Sequence, residues 1–253
     1  MTDEALRALA ERVRACRICR DAPLGRPLPH EPRPVLSPSS TARILIAGQA
    51  PGTKVHATGI PFNDRSGDRL REWLGVTRDA FYDTGKFAIL PMGFCFPGQD
   101  AKGGDLPPRR ECAPAWRRPL MDLMPQIDLV LAIGIYAQAW HMGERRAGSL
   151  SETVARWREI FEADAAPRVL PLPHPSWRNT GWLKRNPWFE ADLLTRLRRE
   201  VGARISAVGI VGLQPIRQPV GHNHTSFRGR AAEPGIQSAD VEGDVHAGWR
   251  EPE

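Results

Sequence analysis

Four short apolar runs, separated by segments with helical spacing, constrain this chain more than any other feature. Residues 43–47, Phe87–Leu90, Asp128–Ile133 and Arg168–Leu172 are rich in Ile, Leu, Val and Phe and lack polar alternation. Runs of that length and composition read as strands buried on both faces. Parallel strands need long crossovers, and the intervening helical segments supply them. The expected fold is α/β: a three-layer α/β/α sandwich around a central, mostly parallel four-stranded sheet.

The helical segments carry their own signals. Residues 3–18 repeat Leu6, Leu9, Val13 and Cys16 at helical spacing, with Thr2 or Asp3 as cap. Residues 66–74 turn Leu70, Trp73 and Leu74 inward, with Ser66 as cap and Gly75 as stop. Further helices are expected from Gly134 to Trp140, over 150–161, and from Pro187 to the neighbourhood of Gly202. Residues 21–40 and 54–63 lack periodicity and read as irregular. From residue 204 onward Gly, Pro, Arg, Gln and Asn dominate, so the reading divides the chain into a folded domain, 1–203, and a loose tail, 204–253. His222 and His224 in that tail read as solvated.

Two of the strands empty into loops with chemical character. The first runs into Gly48-Gln49-Ala50-Pro51-Gly52, where glycines allow close approach to the backbone. The fourth runs into His174-Pro175-Ser176-Trp177-Arg178-Asn179. In a parallel sheet both loops stand at the carboxyl edge, where ligands bind in open α/β folds.

Charge narrows the class of partner. The chain of 253 residues has a formal charge of +6 at pH 7, and a basic balance suits a polyanion such as nucleic acid. No apolar segment approaches the ~20 residues of a membrane span. Met1-Thr2-Asp3-Glu4 has no basic or apolar leader character, so the expectation is a cytoplasmic monomer with reduced thiols. The 4 cysteines then form a pattern of their own: Cys16-Arg17-Ile18-Cys19, with Cys95 and Cys112 as a second pair. Four thiolates can hold zinc tetrahedrally or a [4Fe-4S] cluster, and the widely spaced second pair fits a cluster at least as well.

Together these features resemble the uracil-DNA glycosylase superfamily. The cysteine spacing and the Gly48–Gly52 and His174-Pro175-Ser176 motifs resemble its family 4, iron-sulfur members. Thr58-Gly59-Ile60-Pro61-Phe62 and the extension through Asn179 resemble its single-strand-selective monofunctional members. The resemblance covers about residues 5–200. It implies a monofunctional enzyme that flips uracil out of DNA and hydrolyses its glycosidic bond, starting base excision repair. It further implies a base pocket formed by Gly48, Ala50, Pro51, Gly52, Phe62 and Asn63, with Phe62 stacking on the base. His174 would bond to uracil O2, and Ser176, Trp177, Arg178 and Asn179 would hold DNA. Cys16, Cys19, Cys95 and Cys112 would ligate the cluster. No lysine in either motif stands as a Schiff-base nucleophile, so strand cleavage is not expected.

Two positions depart from the family 4 pattern. Gln49 replaces a glutamate and is no general base, which leaves it to orient water, with His56 as the expected base. Pro91 replaces the asparagine that reads the uracil edge, so reading is expected from Asn63 or from the Met92 and Gly93 amides. These departures keep two alternatives open. One is a tight binder of uracil-containing or abasic DNA that turns over little, as in the superfamily branch whose loop histidine bonds to the sugar. The other is a glycosylase for a different deaminated base, such as hypoxanthine or xanthine.

Overall fold

The computed structural model describes residues 2–207. Strands β1 (Ile44–Ala47), β2 (Phe87–Ile89), β3 (Leu129–Ile133) and β4 (Arg168–Leu172) form one sheet in the order β2-β1-β3-β4. Every pairing is parallel: Leu45 lies beside Ala88 and Val130, and Leu131 beside Leu170. Apart from exposed Arg168, every strand residue is buried, because helices cover both faces as the unbroken apolar runs require. One contiguous core holds Ile44, Ile46, Phe87, Ile89, Leu129, Leu131 and Leu170 against Trp73, Leu74, Phe81, Phe161 and Leu197. The α/β architecture with a parallel four-stranded sheet is therefore as expected.

The helices depart from expectation where distant contacts decide. The first helix, Thr2–Arg14, stops short of Cys16, and a separate turn over Ile18–Asp21 carries Cys19. The segment read as irregular contains the helix Thr53–Thr58. Arg33 donates to the carbonyls of His56 and Ala57 at its end, at 2.8 and 2.7 Å, and Gly59 closes it at φ +71°. That cap comes from outside the segment and leaves no periodicity to read. The next helix is Arg65–Leu74, capped by Asp64 rather than Ser66: the Asp64 carboxylate accepts from the Gly67 N–H at 2.9 Å. Gly75 ends it as expected.

Residues 150–161 form two helices, Leu150–Ala155 and Trp157–Glu162, broken at Arg156. A helix over Cys112–Asp122, which sequence periodicity had not revealed, precedes β3. After Pro187 the chain winds as π-helix over Phe189–Leu194, then as α-helix over Thr195–Ala207, past Gly202. The tail from residue 208, with His222 and His224, lies outside the described residues. Among the described residues no helix is long and apolar enough to cross a membrane.

Candidate active site

Parallel strands point their carboxyl ends one way, and in this sheet only β3 separates β1 from β4. Their loops therefore meet in one open cleft of about 650 Å³, lined by Gly48, Gln49, Ala50, Pro51, Gly52, Phe62, Pro91, His174, Ser176, Trp177, Arg178 and Asn179. Residues far apart in sequence converge here because of the topology alone.

Phe62 is held in this cleft by strain and close packing. Its φ of 53° lies in the left-handed region, which a bulky side chain rarely adopts. A Cβ at Gly67 would come within 1.7 Å of the Phe62 carbonyl oxygen, so only glycine allows the helix to pass this residue. The same carbonyl accepts from Arg71 at 3.4 Å. The ring meets Phe81 edge-on, with centroids 6.0 Å apart, and its tip would lie 3.3 Å from a Cβ at Gly48. An aromatic platform is thus fixed over the first glycine of the loop.

The glycine loop is fastened from both sides. Met92 and Gly93 donate their N–H groups to the carbonyls of Gly48 and Gln49, at 2.8 and 2.9 Å. Those amides are committed and do not read a base edge, contrary to the expectation for this turn. Gln49 donates its side-chain amide to the Leu106 carbonyl at 3.0 Å, tying down the loop between Gly98 and Leu106. That loop adds Gln99, Gly103 and Asp105 to the cleft lining.

His174 is half-buried at the end of β4, its carbonyl accepting from Asn179 at 2.7 Å. Burial holds its imidazole below the ordinary histidine range, while Asp64 and Asp105 pull the other way. The ring is therefore biased toward its neutral form, with two carboxylates near enough to feel it. Ser176 accepts from Arg69 through its carbonyl at 2.8 Å and from the Arg178 N–H through its hydroxyl at 3.3 Å. Trp177 stands 67% exposed beside the Arg178 guanidinium, which reaches the Gly103 carbonyl at 3.5 Å.

Two expected residues do not join this group. His56 packs against His30 and Phe96, with ring centroids 4.4 and 5.8 Å away, outside the cleft lining. The helix Thr53–Thr58 brings Lys54 and Val55 to the cleft and turns His56 off it. Asn63 is engaged outside the lining too, donating to Thr58 and accepting from Arg78. Conversely, the cleft contains Lys54, Asp64, Arg65, Ser66 and Asp105, which sequence reading missed. Only Asp64 carried a signal, as a helix-capping residue just before the periodic run.

The four cysteines line a second, tight apolar cavity of about 10 Å³, together with Val13, Pro32, Pro34, Phe94 and Trp116. All four are free thiols, and all but Cys16 are buried. Burial pushes the Cys95 thiol up to about 12 and raises Cys112 and Cys19 as well. Donors already face the sulfurs: Trp116 Nε1 lies 3.1 Å from Cys16 Sγ, and the Phe94 N–H 3.2 Å from Cys112 Sγ. Among the described residues no three Cys, His, Asp or Glu side chains are gathered closely enough to hold a metal ion as they stand. The sequence model of one family, described as the Uracil DNA glycosylase superfamily, matches residues 34–198.

Proposed function

This chain belongs to the uracil DNA glycosylase superfamily, and we propose that it is a monofunctional uracil-DNA glycosylase. Membership supports a DNA substrate, a hydrolase acting on N-glycosidic bonds and a place in base excision repair. The finer reading rests on one observation: the glycine loop, a strained Phe62 and a neutral-biased His174 share one cleft with the Ser176–Asn179 segment.

In this reading the target base leaves the stack and lies on Phe62. Trp177 is exposed enough to fill the vacated stack, and Arg178 with Arg65 and Lys54 supplies phosphate contacts. As the N1–C1′ bond breaks, its electron pair passes to the base and positive charge gathers on the sugar. A neutral His174 donates its ring proton in a hydrogen bond to O2, an aimed interaction that strengthens as the base becomes anionic. Asp64 and Asp105 favour the cationic sugar. Asp64 keeps one oxygen on the Gly67 N–H, leaving the other to take a proton from the attacking water. Gln49, with its amide N–H spent on Leu106, orients water through its side-chain oxygen. His56 has no part in this step, and a covalent trap through His56 is disfavoured for the same reason.

The cysteine cavity fits a four-thiolate group. Its lining is apolar and holds no carboxylate, and its buried thiols lose their protons readily only to a bound cation. The sixteen-residue interval between Cys95 and Cys112 suits a [4Fe-4S] cluster at least as well as zinc, whose knuckles more often use two close pairs. Cys16, Cys19, Cys95 and Cys112 would hold it, and it would fasten the N-terminal segment to the helix Cys112–Asp122. A second reading, release of hypoxanthine or xanthine, is favoured by Pro91 in the cleft wall and by the committed Met92 and Gly93 amides.

The test is multiple-turnover release from uracil-, hypoxanthine- and xanthine-containing oligonucleotides, read by alkali cleavage, for wild type and His174→Ala. Turnover on uracil that collapses in the variant supports the proposal. Release of another base alone transfers it to the second reading, and product limited to one equivalent per chain points to a binder.

A further inference from the structure

Among the described residues Arg117 is the largest fully buried side chain, 0% exposed, and the glycosidic step leaves it unused. It stands on the helix that begins with Cys112. Its guanidinium donates to the Leu90 carbonyl at 2.7 Å and the Pro91 carbonyl at 3.2 Å, and it contacts His141 Nε2. His141 accepts there, and burial beside Arg117 keeps it neutral, well below the usual histidine range. Among the described residues no carboxylate pairs with Arg117, and its Nε has no partner. A buried cation without a counter-charge is strongly unfavourable. Burial accordingly drives its pKa down to about 9, and the one group pulling it back is Cys112.

We propose that Arg117 is a positioning residue that serves as counter-cation to the four-cysteine group and, through its bonds to Leu90 and Pro91, fixes the cleft wall to that group. The guanidinium fork suits this double task, because at neutral pH it carries a charge and several directed donors at once. Pro91 offers the cleft no side-chain hydrogen bond, so the position of this backbone matters more than its side chain. The inference rests on the cysteines binding a metal group, and for its cleft half on the glycosylase reading.

The test compares the full-length wild type, Arg117→Lys and Arg117→Met. Metal and sulfide per chain are measured after a chelator challenge, with the midpoint potential where iron is present, and kcat and KM on the wild type's best oligonucleotide. Arg117→Met is expected to lose metal faster and to shift the potential negative, since the added electron meets less positive charge. Arg117→Lys keeps the charge and should restore both. Lysine lacks the fork, however, so its KM should stay raised about tenfold with kcat little changed. A wild type without metal, or an Arg117→Met protein with wild-type retention and KM, overturns the proposal. If Arg117→Met does not fold, Arg117→Lys decides: unchanged KM overturns it, and raised KM with retained metal supports it. A wild type inactive on every base removes the glycosylase reading and the cleft half with it, while metal retention still decides the counter-cation half.

Discussion

The cleft and the cysteine cavity share one short segment, with Pro91 in the wall of the first and Phe94 and Cys95 in the wall of the second, yet they are built on opposite principles. The cavity is small and apolar, and burial is the first cause that raises its Cys19, Cys95 and Cys112 thiols. The cleft is open, mixed in polarity and assembled from loop ends, with carboxylates, an imidazole and guanidiniums within reach of one another. A closed site draws its properties from exclusion of water; an open one draws them from aimed dipoles and charges. Substitutions in the first should therefore change stability, and substitutions in the second should change rate.

The largest expected effect is on the closed side. Cys95→Ser should abolish metal retention and lower the melting temperature by about 5 °C or more, read by elemental analysis and thermal denaturation. His174→Ala reverses the pattern, with turnover lost by more than about a hundredfold and the melting temperature nearly unchanged. If both variants lost activity and stability alike, the division between the sites would fail.

Gly67→Ala tests the boundary between the two principles. Its methyl must displace the Phe62 carbonyl, at a cost of about 2 kcal/mol, and the moved ring should raise KM. Asp64→Asn is milder: kcat should fall about tenfold while the side-chain oxygen still caps the helix. A larger loss of stability than of rate would reduce Asp64 to its capping role.

The smallest effect sharpens the contrast through pH. His141 and His174 both have folded pKa values held below the ordinary one by burial. The unfolded chain takes up their protons from about pH 6.5 downward, whereas the folded chain does so only at lower pH. Stability should accordingly be full above that range and fall as pH drops toward the folded values. Denaturant midpoints at pH 7.5 and pH 5.5 measure this, and His141→Gln should flatten the slope more than any change at His174.

The scaffold was legible in the sequence because strand burial is local: Ile44–Ala47 and Leu129–Ile133 announce themselves by composition. So was the meeting of the Gly48 and His174 loops, since parallel order dictates it. What escaped notice depends on partners distant in sequence. The helix Thr53–Thr58 is completed by Arg33, and its orientation removes His56 from the cleft. Asp105 enters the cleft because Gln49 ties its loop there, and no pattern around residue 105 foretells that bond. The Met92 and Gly93 amides looked free until their acceptors, 44 positions earlier, were in view.

The loop tied down by Gln49 has a consequence for how such a protein diverges. It lies in the interval between Cys95 and Cys112, whose ends are buried anchors, while its middle borders the cleft. Residues can be inserted or exchanged there with neither the sheet nor its packing disturbed, because the entropy of closing a longer loop rises slowly. Substrate range is thereby separable from foldability: the rim of the cleft can change within this interval while the sheet beneath it stays as it is.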